Sequence, residues 1–267
     1  MEESGWIPRG IDPTKPSVAR IYDYYLGGSH NFAIDRELAR QAIDQWPELP
    51  KIMRANRAFV QRAVRFCLTE GIRQFLDIGS GIPTAGNVHE IVQKADPTAR
   101  VVYVDIDPVV VAHSRAMLRG NERAVVLQAD VRNPDRILND QQLLRLIDFD
   151  QPLALLLTGI LLFVPDEDNP HGLVACYLDA MASGSYLVIV QGGSDAQPER
   201  EAAHTALYQR SGTPIWLRTR DQVSTFFNGT ELVEPGLVFT PFWRPDSPVD
   251  SDVLTWAHSY GGVGRKP

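Results

Sequence analysis

One short segment limits the fold of this chain more than any other. An apolar run broken by a single carboxylate, residues 75–78, is followed at once by Gly79-Ser80-Gly81. A strand that enters a Gly-x-Gly turn and then a helix is typical of nucleotide-type sites at the carboxyl edge of a parallel sheet. Glycines are needed there because a side chain would hold the backbone away from the ligand. The segment therefore predicts an α/β fold with a ligand site at this turn.

The sequence after Gly71 alternates between short apolar strands and amphipathic helices. This alternation predicts a parallel sheet with right-handed crossovers, covered by helices on both faces. The predicted strands are residues 74–78, 100–104, 124–129, 153–158 and 186–191, with two further candidates at 232–238 and 260–265. The predicted helices of this region are residues 84–95, 109–118, 171–181, 199–210 and 220–227.

The first 70 residues follow a different pattern. Residues 1–17 contain three prolines and resemble a leader with little structure of its own. Apolar residues at helical spacing then predict three helices, over residues 18–26, 35–44 and 51–68. We therefore divide the chain into a leader with a helical cap, residues 1–70, and an α/β core, residues 71–267.

The composition narrows the class of protein. Of the 267 residues, 44% are hydrophobic and 22% are charged, and the formal net charge is −7. This composition suits one large α/β domain or a core with an added cap. A protein that binds a nucleic acid duplex needs a basic surface, so we expect no nucleic acid partner.

The chain also lacks the usual signals of metal, disulfide and membrane proteins. Cys67 and Cys176 lie far apart in apolar stretches, so neither a cysteine-based metal site nor a disulfide framework is expected. No apolar run approaches the ~20 residues that span a bilayer. We expect a cytoplasmic protein with no metal and no membrane partner, and its oligomeric state stays open.

Three aspartates accompany the first three strands of the alternation. Asp77 lies in the first strand, Asp105 directly follows the second, and Asp130 follows the third. Because neighbouring parallel strands end at one edge of the sheet, we expect these carboxylates to converge on one crevice. Asp105 comes 24 positions after Gly81, close to the ~20-residue offset of a carboxylate that accepts both ribose hydroxyls. Asp130 could accept from an adenine amino group.

The turn differs from the dinucleotide fingerprint. Thr84 stands where a pyrophosphate ligand selects a third glycine for close packing of helix and strand. Asp77 would repel a pyrophosphate but suits an ammonium group. An aspartate at a strand end can also simply cap the next helix, and we expect only that of Asp107. For Asp105 and Asp130 the capping alternative stays open.

These segments resemble a known family. Residues 77–81, 104–108 and 129–131 look like the corresponding motifs of class I S-adenosylmethionine-dependent methyltransferases. Over nearly the whole chain the sequence resembles one bacterial branch, the S-adenosyl methyltransferase family formerly catalogued as a domain of unknown function. Four segments carry this narrower likeness, namely residues 16–28, 31–35, 55–59 and 260–266.

The resemblance implies a fold, a cofactor and a set of contacts. The fold is a Rossmann-like, seven-stranded, mostly parallel sheet sandwiched by helices, with an N-terminal helical cap. The cofactor is S-adenosyl-L-methionine, the methyl donor, with Asp77 toward its methionine end, Asp105 at its ribose and Asp130 beside its adenine. The implied contacts from these segments are Asp77, Gly79, Ser80, Gly81, Asp105, Ile106, Asp130 and Val131.

Methyl transfer also needs a closed, dry site, and the N-terminal helices are our candidate lid. Tyr22 and Tyr25 lie three residues apart and could face the positive sulfonium, or they could pack the helix onto the core. Asn31 and Arg57 could contact the carboxylate of the cofactor, or they could lie on a solvated surface. Thr158 follows the fourth strand, where methyltransferases place residues near the acceptor.

The acceptor and the catalytic residues are not identified by the sequence. The segment after Thr158 lacks the acidic-Pro-Pro-Tyr type of motif, which counts against an adenine or glutamine nitrogen as acceptor. A hydroxyl acceptor would need a base, for which His30, His171 and His204 are available and unranked. No catalytic residue is therefore assigned.

We interpret the chain as a methyltransferase that acts on a small-molecule acceptor. A dehydrogenase that uses NAD is one alternative, against which Asp77 and the missing third glycine count. A non-catalytic regulator that binds S-adenosylmethionine or a nucleotide is the other. The sequence does not distinguish that regulator from an enzyme, because binding and turnover would use the same residues.

Overall fold

The structure, a computed structural model, describes residues 12–83 and 86–267. The first eleven residues of the predicted leader lie outside this part of the chain, and so does Thr84, at the start of a predicted helix. Residues 12–17 form turns and irregular structure ahead of the first helix.

Eight strands form one sheet within the described residues. They are β1 (Gln74–Ile78), β2 (Arg100–Asp105), β3 (Ala124–Gln128), β4 (Ala154–Thr158), β5 (Tyr186–Gly192), β6 (Glu231–Leu232), β7 (Val238–Phe239) and β8 (Ser259–Arg265). Their spatial order is β3-β2-β1-β4-β5-β8-β6, and β7 pairs with β8. Strands β1 to β5 are parallel, and β8 runs antiparallel to β5, β6 and β7. The predicted Rossmann-like, mostly parallel sheet is confirmed.

The sheet has one strand more than the seven predicted. The prediction of a single strand over residues 232–238 is wrong, because the chain turns within this stretch and leaves β6 and β7 on either side. Gly236 has φ +85°, and its amide donates to the carbonyl of Val233 at 2.8 Å. Pro235 has no amide hydrogen to donate to a ladder, so a continuous strand cannot pass through it.

The helices of the described residues are α1 (Val18–Tyr25), α2 (Ala33–Gln45), α3 (Leu49–Thr69), α4 (Val88–Ala95), α5 (Pro108–Met117), α6 (Pro134–Leu138), α7 (Gln141–Leu146), α8 (Pro170–Ala180), α9 (Pro198–Arg210), α10 (Arg220–Ser224) and α11 (Val253–Trp256). Four single 3₁₀ turns supplement them, at residues 161–163, 166–168, 225–227 and 240–242. The structure adds α6, α7 and α11 to the predicted helices. With five, six and four residues, they are too short to show helical periodicity.

Helices cover each face of the sheet through a separate apolar cluster. One cluster joins strand residues such as Leu76 and Leu155 to Tyr177 of α8. The other joins residues such as Val101 and Val188 to α3, α4 and α5. The helix α3, which we assigned to the cap, therefore belongs to the sandwich. The predicted boundary at residue 70 therefore falls between α3 and β1, which pack against each other in this cluster.

The cap proper consists of α1 and α2, and a third apolar cluster joins it to α9 and α11. Tyr25 of α1, Trp46 at the end of α2 and Tyr208 of α9 are buried in this cluster. Since α9 follows the carboxyl end of β5, the cap lies over the carboxyl edge of the sheet. Every helix within residues 12–83 and 86–267 is too short or too polar to cross a bilayer.

Candidate functional site

The order of the strands reverses between β1 and β4, because β1 connects to β2 on one side while β4 lies on its other side. A ligand crevice forms at such a switch point, outside the carboxyl ends of the strands. Gly79, with φ +77°, follows β1, and its amide donates to the carbonyl of Val104 at 2.7 Å. A Cβ on Gly79 would lie 2.7 Å from the Cβ of Ile160. Glycine is thus required here both by the backbone conformation and by the loop that follows β4.

A cavity opens beside this turn, and four of the predicted site residues line it together: Arg57, Asp77, Ser80 and Gly81. The remaining lining residues among those described are Pro83, Asn87, Val88, Tyr103, Ser114 and Met117. Together, the lining residues come from α3, β1, β2 and α5, from α4 with the residue before it, and from the turn after β1. The predicted site on the carboxyl side of β1 is therefore a small cavity, with a free volume of about 10 Å³, that these four residues line together.

Asp77 is buried in this cavity, with 4% of its surface exposed. Its Oδ1 has no hydrogen-bond partner among the described residues. Burial raises the pKa of Asp77 to about 7, against the lowering effect of the Arg57 charge, and the charge of Asp105 raises it further. A buried carboxylate with an unsatisfied oxygen favours the approach of a cation.

Arg57 extends from α3 toward Asp77. Its Nη2 donates to Oδ1 of Asn87 at 3.0 Å, while its Nε is buried with no acceptor among the described residues. The Oγ of Ser80 is likewise buried without a partner in this part of the chain. The cavity therefore presents a carboxylate, a guanidinium and a hydroxyl, each with unused hydrogen-bonding capacity.

Asp105 ends β2 and holds the turn after β1 in place. Its Oδ2 accepts from the amide of Gly81 at 2.9 Å, and its Oδ1 accepts from the amide of Asp107 at 2.9 Å. Burial raises the pKa of Asp105 to about 6, and these backbone hydrogen bonds oppose that rise. A carboxylate can accept about four hydrogen bonds, so part of its capacity remains. The neighbouring Ile106 is 57% exposed, an unusual exposure for a large apolar side chain beside a buried acid.

Asp130 and Val131 do not line the cavity beside Arg57. Burial alone would raise the pKa of Asp130, but hydrogen bonds from Arg132 outweigh this effect and lower it. The closest of these contacts is 2.5 Å, and Arg132 also donates to Asp168 at 3.2 Å. Val131 is buried in the apolar cluster that faces α8, and its carbonyl accepts from the Tyr177 hydroxyl at 2.8 Å. The structure thus brings Asp77 and Asp105 together and leaves Asp130 paired with Arg132.

The predicted residues of the cap occupy different positions. The hydroxyl of Tyr22 donates to the carbonyl of Met53 at 3.2 Å; burial raises its pKa to about 12, and the nearby charge of Arg57 opposes this. Tyr25 is buried, with its hydroxyl 3.0 Å from that of Tyr208, as expected for a residue that packs the helix onto the core. Tyr22 therefore lies near the cavity, and Tyr25 lies against α9.

Asn31 and Thr158 also have defined surroundings. The side chain of Asn31 is buried and donates to Oδ2 of Asp23 at 2.8 Å and to the carbonyl of Gly28 at 3.0 Å. It therefore fixes the turn between α1 and α2. Thr158 ends β4 opposite Val190 of β5 and lies two residues before Ile160, which covers Gly79.

Residues 4–267 match a family model described as S-adenosyl methyltransferase. The chain belongs to this family. A candidate methyltransferase from Thermobifida fusca YX is 42% identical to it, with a TM-score of 0.93, over 98% of this chain and 99% of that one. A DUF574 family protein from Streptomyces avermitilis MA-4680 is 40% identical, with a TM-score of 0.93, over 96% of this chain and 99% of that one.

More distant structures share the fold. PigF with S-adenosylhomocysteine is 19% identical, with a TM-score of 0.53, over 88% of this chain and 69% of that one. Proteins of curated function give no match. The family membership confirms the resemblance found in the sequence and decides in favour of a methyltransferase over a dehydrogenase or a non-catalytic regulator. S-adenosyl-L-methionine is its methyl donor.

The cap of this methyltransferase is attached to the crevice by an ion network that the sequence analysis missed. The Nε of Arg20 on α1 donates to Oδ2 of Asp35 on α2 at 2.6 Å, and both side chains are buried. Asp107 caps α5, as predicted, by accepting from the amide of Val109 at 2.7 Å. It also accepts from the Ser17 hydroxyl and lies 3.6 Å from Nη1 of Arg20. Arg20 and Asp35 lie in segments of the family resemblance, but nothing in the sequence pairs them.

The histidines considered as bases lie apart from one another. The rings of His30 and His113 are 4.3 Å apart, which joins the turn after α1 to α5. His171 stacks on Phe226 at 4.4 Å on the face covered by α8. His204 is buried on α9 beside Tyr208, at 4.7 Å. Of these three, His204 lies beneath the cap of the methyltransferase.

Proposed function

We propose that the cavity beside Arg57 and Asp77 holds the methionine end of S-adenosyl-L-methionine, and that the chain transfers its methyl group to a small-molecule acceptor. The observation that carries this proposal is the buried, unpartnered Oδ1 of Asp77 next to a guanidinium. The methionine end of the ligand carries an ammonium and a carboxylate, whose charges are opposite to those of Asp77 and Arg57. Its ammonium would neutralise Asp77, and its carboxylate would pair with Arg57.

The residues of the neighbouring strands would hold the rest of the methyl donor. Asp105 keeps acceptor capacity for ribose hydroxyls, and the exposed Ile106 offers an apolar face for adenine. Ser80, Gly79 and Gly81 would lie along the donor, with the Ser80 hydroxyl as a further hydrogen-bonding group. Each of these groups would therefore meet a part of the donor that matches its hydrogen-bonding or apolar character.

The remaining predicted contacts take more indirect roles in this proposal. Tyr22, close to Arg57, would close the cavity from the cap side. Tyr25 and Asn31 would act by holding the cap and its turn in place. Asp130 would reach adenine only by sharing its carboxylate with Arg132, and Val131 would border the adenine through its backbone. Thr158 would lie toward the acceptor.

The bound donor supplies an electrophilic methyl carbon on a positively charged sulfur. The chain would position the donor and keep water away from it. Arg57 and Asp77 would hold its methionine end, Asp105 would hold its ribose, and the cap would exclude water. The cap can do so because the buried Arg20–Asp35 pair fixes α1 to α2 and Asp107 ties both to the rim of the crevice.

A small molecule as acceptor is supported by the charge of −7 and by the cap over the crevice. A nucleic acid would need a basic surface beside the methyl group. We further propose that the enzyme works in the cytoplasm, and that the leader with α1 and α2 forms a cap over a core that comprises α3 and residues 71–267.

Calorimetry with S-adenosylhomocysteine tests the assignment of the cavity. The change Asp77→Asn keeps the shape of the side chain and removes its charge, so we expect the affinity to fall about 10- to 100-fold from a micromolar wild-type value. Asp246→Asn is the matched control, because Asp246 is exposed and pairs with Arg65 at 2.8 Å on the surface. Equal affinities of the wild type and Asp77→Asn would refute the assignment.

A further inference from the structure

A buried polar cluster lies at the carboxyl end of β5, beneath the cap. His258 directly precedes β8, whose first residue Ser259 pairs with Gly192, the last residue of β5. The Nδ1 of His258 lies 3.5 Å from Oε1 of Glu201 on α9, and its ring packs edge-on against Trp46 at 4.5 Å. Trp46 also contacts the ring of His204 at 5.8 Å. We call these four residues, Trp46, Glu201, His204 and His258, the imidazole cluster.

The imidazole cluster holds more buried polar atoms than the described residues satisfy. Oε2 of Glu201, Nδ1 of His204, Nδ1 of His258 and Nε1 of Trp46 have no hydrogen-bond partner among those residues. The nearby Gln191, at the end of β5, has an Oε1 in the same condition. Native proteins leave few buried polar atoms unpaired. Five in one region, both donors and acceptors, indicate a place for a ligand that carries a hydroxyl group.

The position of the cluster relative to the cavity follows from α1. Tyr22 on this helix lies near Arg57, and Tyr25, less than one turn further along, meets Tyr208 on α9. His204 lies one turn before Tyr208 and contacts it at 4.7 Å. In addition, β5 is two strands from β1, about 10 Å across the sheet. The cluster and the proposed cofactor site therefore lie beneath the same cap at the carboxyl edge of the sheet, the side on which an acceptor must stand.

We propose that His258, oriented by Glu201, is the catalytic base, and that the acceptor is the hydroxyl group of a small aromatic molecule. This proposal rests on the proposed function. The Nε2 of His258 takes the proton of the hydroxyl as its oxygen bonds to the methyl carbon. The carbon–sulfur bond breaks with its electron pair remaining on sulfur. The products are the methyl ether, S-adenosylhomocysteine and an imidazolium that returns its proton to solvent.

The surroundings favour His258 over its neighbour for this role. The Glu201 carboxylate lies 3.5 Å from Nδ1 of His258 without a hydrogen bond between them, and a proton on Nδ1 would face this carboxylate and leave Nε2 as the acceptor. A Cβ on Gly192 would lie 2.8 Å from Cδ2 of Leu217 and 3.7 Å from Nε2 of His258, so glycine is needed here for the Leu217 side chain to pack beside the imidazole. Burial and the charge of His258 lower the pKa of His204 to about 4, which leaves His204 a neutral hydrogen-bonding group.

The carboxylate of Glu201 is held in its ionised form. Its Oε1 accepts from the amides of Ala196 and Gln197, at 3.1 and 2.8 Å. Burial alone would raise the pKa of Glu201, but the nearby His258 and these amides outweigh it and lower the pKa. Glu201 can therefore stabilise a protonated His258. The ring of Trp46 packs against His258 and the ring of Tyr208 packs against His204, and these aromatic surfaces favour a flat aromatic ligand over an aliphatic one.

Binding of 4-nitrophenol to the full-length protein saturated with S-adenosylhomocysteine tests the inference, because the phenolate absorbs in the visible range and the phenol does not. At a pH below the pKa of the free phenol, we expect the bound probe to develop the phenolate band with the wild type. His258→Gln should lose the band and bind the probe about tenfold more weakly. Its affinity for S-adenosylhomocysteine should not change.

Two further variants complete the design. Glu201→Gln keeps an oxygen that can accept from the amides of residues 196 and 197, and we expect it to lose the phenolate band while remaining folded. His171→Gln is the matched control, because His171 stacks on Phe226 away from the imidazole cluster; it should behave like the wild type.

The outcomes separate the two proposals. If the wild type fails to bind S-adenosylhomocysteine, the proposed function is refuted and the inference with it. If S-adenosylhomocysteine binds but the probe does not, or if His258→Gln or Glu201→Gln retains the full phenolate band, only the inference is refuted.

Discussion

The ionisation of Asp77 links ligand binding to pH. Its pKa is raised to about 7 by burial, so below pH 7 a bound ammonium group must first displace a proton. We expect the affinity for S-adenosylhomocysteine to rise with pH up to about 7, by at most about tenfold per unit, and then to level off. Calorimetry between about pH 5.5 and 7.5 measures this slope.

The Asp77→Asn variant identifies the source of the slope. It should lose the part of the pH dependence above pH 6, while Asp105, with a pKa raised to about 6, continues to contribute below that value. A wild-type affinity that does not vary over this range would contradict a buried carboxylate as the ammonium site.

Asp105 has two functions that substitutions can separate. Asp105→Ala removes the acceptor of the Gly81 and Asp107 amides, so we expect a loss of unfolding free energy of about 1–3 kcal/mol together with weaker ligand binding. Asp105→Asn keeps one oxygen, and it should retain more of the stability than of the affinity. Urea unfolding and calorimetry on both variants measure the two effects. An Asp105→Asn variant that binds as tightly as the wild type would indicate that the carboxylate charge has no role at the ribose.

At the level of elements, the glycines of the turn after β1 are expected to act differently. Gly79, Gly81 and the control Gly120 all have positive φ, at +77°, +68° and +84°. An added Cβ would meet Ile160 at Gly79, whereas at the other two positions no atom of the described residues lies within 4 Å of it. Gly120→Ala should therefore cost about 1 kcal/mol of unfolding free energy, for its backbone alone, and Gly79→Ala should cost 1–3 kcal/mol more.

Gly81→Ala separates stability from binding in the same series. It should destabilise the protein no more than Gly120→Ala does, but it should weaken binding of S-adenosylhomocysteine, because its Cβ points into space that the ligand uses. Thermal unfolding and calorimetry on the three alanine variants test both expectations. Normal binding by Gly81→Ala would place the ligand away from this turn.

The sequence predicted the regular elements where their periodicity was long enough to be read. The strands β1 to β5 and the helices α3, α5, α8 and α9 lie close to their predicted bounds, because each has a continuous apolar face or run. The elements that were missed or misjudged are short: α6, α7, α11, and the interrupted strand at Pro235. Their geometry depends on local caps and turns, which hydrophobic patterning does not record.

For the whole molecule, the least predictable feature was the attachment of the cap. The pair Tyr25–Tyr208 joins residues 183 positions apart, and Ser17 meets Asp107 across 90 positions. The aspartates of the site were predictable, because strand ends in a parallel sheet share an edge. The partners of Asp130 and Arg20, and the meeting of His258 with Glu201, depend on how the layers pack, which no motif in the chain encodes.

The attachment of the cap leads to a last prediction. Asp35 is fully buried and accepts from Arg20, from the amide of Ser17 at 2.9 Å and from the amide of Phe32 at 2.8 Å. Asp35→Asn removes the nearer counterion of the buried guanidinium and leaves only Asp107 at 3.6 Å, a change that costs about 3 kcal/mol. Because α1 and α2 contact the core mainly through the third apolar cluster and this network, the loss should appear as local opening of the cap. We expect amide hydrogen exchange of residues 17–45 to accelerate at least 100-fold.

Hydrogen exchange measured by mass spectrometry, with and without S-adenosylhomocysteine, then tests whether the cap is a lid. In the wild type the ligand should slow amide exchange in α1 and α2, because closure of the cap over the bound donor protects these two helices. In Asp35→Asn this protection should shrink, while Glu37→Gln, an exposed change on the same helix, should leave it intact. If the ligand protected only the turn after β1 and left α1 and α2 unchanged, the cap would be a fixed part of the fold, and the acceptor would have to reach the imidazole cluster by another route.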